Sequence, residues 1–184
     1  MNFFFPVKFK NFKSELIVPK FKNRKPKSHN VYLYKAYIDH EFWKIKKIKC
    51  LENEDFFFLK NNILQKNCIY FLDYDNEFNA KNKKIFELKN FNDFTDTAPA
   101  FRSNLKIYIT NGGVASYQSE YPFEMTKRKG NILSPISSLC QSNADTNYII
   151  FKNIFYKPIV EKFFCYLIDF KKRKILQKLK LFSN

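Results

Sequence analysis

Apolar residues recur at every second position along most of this chain, and that alternation restricts it largely to strands. The cleanest run is Leu105-Lys106-Ile107-Tyr108-Ile109-Thr110, in which Leu105, Ile107 and Ile109 share one face, as a half-buried strand requires. Comparable runs cover residues 31–38, 56–59, 68–74, 85–91, 148–156, 163–170 and 175–182, which makes eight strand candidates. Short polar connections at 60–67 and 171–174 join neighbouring runs and imply antiparallel pairing. Residues 41–51 fit two periods: Phe42, Ile45 and Ile48 have helical spacing, whereas Trp43 and Ile45 have strand spacing. With many short strands, few helical patterns and no fixed repeat, the expected fold is mainly β, a single-domain antiparallel β-sandwich or partly open barrel.

Size agrees with one hydrophobic centre, because 184 residues bury one core well and two poorly. The 23 phenylalanines supply the apolar area, each buried ring removing on the order of 150–250 Å² from water. Residues 1–30 differ from the rest, with eight Lys or Arg against Glu15 alone and prolines at positions 6, 19 and 26. Prolines so spaced forbid a continuous helix, so a basic, extended N-terminal arm is expected, followed by a β-rich globular domain over 31–184.

A formal charge of +16 invites a nucleic-acid or anionic-membrane partner. Only Arg24, Arg102, Arg128 and Arg173 among the 33 basic residues carry the guanidinium fork that phosphate and base recognition prefers, so nucleic acid is not the favoured partner. Abundant Lys, Asn, Ile and Phe are also what an AT-biased coding sequence yields. Cys50, Cys68, Cys140 and Cys165 form no C-x-x-C pair and lie in or beside apolar runs, where cysteine acts as a small buried hydrophobe. The residues after Met1 lack the pattern of a secretory signal, and no run nears the roughly 20 apolar residues that span a bilayer. A cytoplasmic location is therefore expected. Aromatic edge strands leave a homo-oligomer by sheet extension open.

Residues 95–147 hold all three glycines and a dense run of Ser, Thr and Gln, which marks them as a candidate working surface. Asn111-Gly112-Gly113 should form a tight turn with positive φ, followed by a return strand over 114–121. Tyr117 and Tyr121 would then share one face of that strand, and Gln118 and Glu120 the other. Tyr rings beside amide and carboxylate groups suit a glycan, whose C–H faces stack and whose hydroxyls need planar polar partners. Arg102, Asn111 and the basic loop containing Lys127, Arg128 and Lys129 add contacts for an anionic group. The alternative is an ordinary edge strand exposed to water.

Asp73-Tyr74-Asp75 closes an apolar run and places two carboxylates where oxygen ligands could hold a divalent cation. Over these three positions the chain resembles the D-x-D motif of many glycosyltransferases, which implies a metal and a sugar nucleotide there. The βαβ pattern of a nucleotide-binding half is missing around it. His40, between Asp39 and Glu41, has a carboxylate neighbour suited to acid–base work, or is simply a surface turn residue. No P-loop, G-x-S-x-G, dinucleotide fingerprint or H-E-x-x-H occurs, so no cofactor is expected. The expected function is that of a non-enzymatic binding or accessory domain for a glycan or another polar or anionic ligand. The alternatives are a basic assembly protein that contacts nucleic acid, membrane or a partner subunit, and a metal-dependent glycosyltransferase-related enzyme using Asp73 and Asp75.

Overall fold

A computed structural model describes residues 6, 8, 11–20, 31–73, 83–86, 104–110, 112–118, 142–144, 146–148 and 157–182, with residues 73, 83, 117 and 118 given by backbone alone. Its strands are β1 (Phe12–Pro19), β2 (Tyr32–Asp39), β3 (Phe42–Lys47), β4 (Leu51–Glu52), β5 (Phe56–Leu59), β6 (Ile69–Asp73), β7 (Lys83–Ile85), β8 (Asn104–Ile109), β9 (Val114–Gln118), β10 (Lys162–Asp169) and β11 (Lys174–Phe182). No helix occurs among the described residues. The strands form a five-stranded sheet in the order β4-β5-β1-β8-β9, a four-stranded sheet in the order β6-β2-β3-β7, and the separate hairpin β10-β11. Every pairing is antiparallel, and no sheet closes into a barrel. The alternation in the sequence thus gives the mainly β, sandwich-like architecture it predicts.

Period two also decides which face of each strand is inside. In β1, Ser14, Leu16 and Val18 are buried while Ile17, between two of them, is exposed. Leu16 pairs with Leu59 on one side and Leu105 on the other, so the row Leu59–Leu16–Leu105 runs across three strands. That row packs in one core cluster with Leu33 of β2 and Tyr70 and Leu72 of β6, which brings the two sheets face to face. Burial of each large side chain there contributes on the order of 1.5–3 kcal/mol.

The opposite face of the four-stranded sheet is buried too. Tyr34, Ala36, Trp43, Ile45, Ile69 and Phe71 form a second cluster, each no more than 2% exposed. Tyr34 and Phe71 stack with centroids 5.8 Å apart, as their register opposite one another dictates. This sheet is therefore an inner layer, whereas the five-stranded sheet shows a polar outer face carrying Glu15, Lys106 and Tyr108.

One expectation is corrected, and one open assignment is resolved. Within the N-terminal segment, Phe12–Pro19 is extended as expected, but these residues are not laid on the domain from outside: they are the central strand of the five-stranded sheet, flanked by β5 and β8. Pro19 stands at the end of the strand, so it breaks helix without breaking sheet. The ambiguous stretch 41–51 resolves as strand β3 followed by the short β4, because Trp43 and Ile45 share the buried face while Phe42 remains 39% exposed. Residues 74, 87–91, 119–121 and 149–156 of the expected strands lie outside the described residues.

Candidate functional site

The expected hairpin after β8 is present. β8 and β9 pair from Asn104↔Gln118 to Tyr108↔Val114, and the turn is closed by Gly112 N–H donating to Ile109 O at 3.0 Å and Ile109 N–H donating to Gly113 O at 3.3 Å. Positive φ, however, is not what its glycines supply, for neither Gly112 nor Gly113 adopts it. Gly112 instead makes a close approach: a Cβ there would come within 3.1 Å of the Ile109 Cβ, tight enough that the neighbour would have to yield by a few tenths of an ångström. β9 is the edge strand of its sheet, and Val114, Ala115 and Ser116 are exposed. The register sets position 117 opposite Leu105 and position 118 opposite Asn104, on alternate sides of the ribbon. Of the expected ligand set, Arg102, Asn111, Glu120, Tyr121, Lys127, Arg128 and Lys129 lie outside the described residues, and Tyr117 and Gln118 are placed by backbone only.

Asp73 ends β6, with its side chain and the whole of Asp75 outside the described residues. His40 is the first residue of a two-residue β2–β3 turn, with φ of 58°, exposed to solvent and with Nε2 3.9 Å from Asp39 Oδ1. Asp39 has stronger partners in Lys44 at 3.4 Å and Lys84 at 3.5 Å. Partial burial pushes its carboxyl up, but the two ammonium groups outweigh this and hold it below the ordinary aspartate value. Asp39 is thus neutralised by a cross-strand lysine pair and serves as a strand-end clamp. Cys50, Cys68 and Cys165 are free thiols, Cys68 buried and the other two half-buried, and Cys140 lies outside the described residues.

The arrangement the sequence reading missed lies where the inner face of the four-stranded sheet runs out from under its partner. Leu33 on that face is in the core, but two residues further along β2 the same face presents Lys35, and then Tyr37. An open cleft of about 560 Å³ forms there, bordered by Lys35, Tyr37, Lys46, the Gln65–Cys68 segment and Val160, with Ile38, Trp43 and Ile69 beneath. Lys35 Nζ donates to Gln65 Oε1 at 2.7 Å and stands 5.8 Å from the Tyr37 ring centroid. Gln65 is itself held, since its backbone N–H donates to the Tyr70 hydroxyl at 2.7 Å and the Cys68 thiol donates to its Oε1 at 3.7 Å. Asn67 takes φ of 64° in this connection, a conformation Asn tolerates better than most residues.

Electrostatically the cleft is unbalanced. Lys35 and Lys46 are directly opposite in the β2–β3 register, a like-charge pair that repels across a ladder. Lys66 adds a third ammonium at the rim. Among the described residues no carboxylate pairs with any of the three, whereas Asp39, Glu15 and Glu52 each pair with a lysine elsewhere. The signal was present in the sequence, for a two-residue turn at His40-Glu41 fixes Lys35 opposite Lys46. It is masked by the two periods that residues 41–51 fit equally well.

Compared with known proteins, the chain matches no family model, no curated protein and no solved structure.

Proposed function

We propose that this protein is a non-enzymatic β-sandwich-like binding module for a polar, anionic ligand, such as a sulfated, phosphorylated or carboxylated glycan. The observation that carries this reading is the cross-strand pair Lys35 and Lys46, with Lys66 beside them, in a cleft that holds no paired carboxylate among the described residues. Two repelling ammonium groups held by a rigid ladder gain when an anion bridges them, since charge-assisted hydrogen bonds are stronger than neutral ones. The amide of Gln65 and the ring of Tyr37 add the planar polar group and the stacking surface that a sugar uses. Fixing Gln65 through Tyr70 limits the ordering cost of binding.

Calorimetric titration with sulfated and neutral forms of the same oligosaccharide tests the reading. The sulfated form is expected to bind, and a Lys35→Ala, Lys46→Ala double variant to lose about 2 kcal/mol, roughly thirtyfold in affinity. Equal heats from parent and variant would remove the cleft from consideration. A parallel Tyr117→Ala, Gln118→Ala variant separates the cleft from the β9 ribbon: loss of binding in that protein alone would move the site to the edge strand.

A further inference from the structure

The C-terminal hairpin β10-β11 is the most exposed apolar feature among the described residues. Nine of the 17 exposed large hydrophobic side chains lie between Phe164 and Phe182. Seven basic residues against the single carboxylate of Asp169 give residues 162–182 a formal charge of +6. These properties converge at the tip, where Phe170 is 68% exposed beside the run Lys171-Lys172-Arg173-Lys174. The tip has a defined shape: Lys172 N–H donates to Asp169 Oδ1 at 3.1 Å, and Arg173 takes φ of 49°. Behind it a bulge at Leu176 keeps Ile168 opposite Ile175 while restoring the pairing from Leu167↔Gln177 onward. Ile175 and Leu176 are consequently both more than half exposed next to the basic run.

We infer that this hairpin tip docks on an anionic lipid surface, with Phe170 entering the interface and the flanking lysines and Arg173 meeting headgroup phosphates and carboxylates. An apolar tip ringed by cations matches a surface whose outer layer is anionic and whose next layer is hydrocarbon. A second copy of the chain is a poor occupant, because two ribbons of this charge repel. Single-stranded nucleic acid fits less well too. Lys178 Nζ already stands 4.1 Å from the Phe164 ring and 5.5 Å from the Tyr166 ring, occupying faces on which bases would stack, and aliphatic side chains gain nothing from phosphate. This inference stands apart from the cleft, and neither depends on the other.

The test is sedimentation of the full chain with vesicles of phosphatidylcholine alone and with about a third phosphatidylserine, at low and high salt. Binding is expected only to the anionic vesicles and to weaken with salt. Phe170→Ala should lower partitioning roughly tenfold, and each basic tip residue replaced by Ala roughly fivefold. A Phe170→Trp variant gives an independent readout, since the native Trp43 is only 1% exposed: its emission should shift to the blue on vesicle addition and be quenched by brominated lipid. Absence of sedimentation on anionic vesicles, or unchanged sedimentation of Phe170→Ala, overturns the inference. So does an unshifted Phe170→Trp emission. Tight binding to oligothymidylate without vesicle binding would overturn it as well and assign the ribbon to nucleic acid.

Discussion

The backbone N–H of Ser14 donates to the side-chain Oδ1 of Asn61 across 3.1 Å, although the two residues are 47 apart in the chain. The bond lies where the β1–β5 ladder stops, for Leu16↔Leu59 is its last pair before the chain turns away at Lys60. Asn61 supplies one further rung from its side chain. Ser14 is fully buried, so its N–H has no water to turn to if that acceptor is removed.

Asn61→Leu is therefore expected to lower stability by about 1–3 kcal/mol, the cost of a buried donor left unsatisfied. Asn61→Asp retains an acceptor and should lose less. Urea unfolding midpoints of the three proteins decide the matter, and coincident midpoints would show that the rung carries no net stability.

Tyr70 predicts behaviour at alkaline pH. Its side chain is fully buried in the core, and its hydroxyl accepts from Gln65 N–H. Burial, the dominant cause, pushes its pKa from 10.0 up to about 12, against a smaller lowering by the Gln65 bond. A folded-state value raised in this way means stability that is fully present below pH 10 and lost as the pH rises toward 12, by about 3 kcal/mol in all. The difference in unfolding free energy between the parent and Tyr70→Phe should shrink or reverse over that interval, because the variant has no hydroxyl to ionise. A constant difference from pH 9 to 12 would contradict it.

Asp39 makes the converse prediction at acid pH. Its carboxyl is held below the ordinary value of 3.8, so the stability it contributes is present above that value and lost as the pH falls through the depressed one. The parent should be more stable than Asp39→Asn near neutrality and equal to it once the carboxyl is protonated. Thermal melts at pH 6 and pH 2 read this directly. High salt should narrow the gap at pH 6, since Lys84 is half exposed and screened.

What the sequence disclosed and withheld follows from which forces are local. Alternation in 105–110, the short aromatic run at 56–59 and the run at 175–182 mark strands unaided, because strands repeat with period two or run apolar where both faces are covered. The hairpin turn at Gly112-Gly113 was legible too, though Gly112 lies close to Ile109 and neither glycine takes positive φ. β1 was missed because Lys13 and Glu15 sit among apolar residues within a proline-punctuated basic segment. Only the tertiary partners Leu59 and Leu105 show that Ser14, Leu16 and Val18 face a core. The cleft was harder still: Lys35, Lys46 and Lys66 come from three separate segments and meet only after register and sheet packing are set.

The placement of β1 between β5 and β8 has a kinetic corollary. Phe12–Pro19 is made about ninety residues before Asn104–Ile109, with which it pairs. At ordinary translation rates that gap lasts roughly 5–20 s, during which a finished strand waits with one side unpaired. Among the described strand pairings the one of greatest sequence separation is thus at the middle of its sheet, and a nascent polypeptide halted before Asn104 would offer that vacant side to whatever chaperone or neighbouring strand reaches it first.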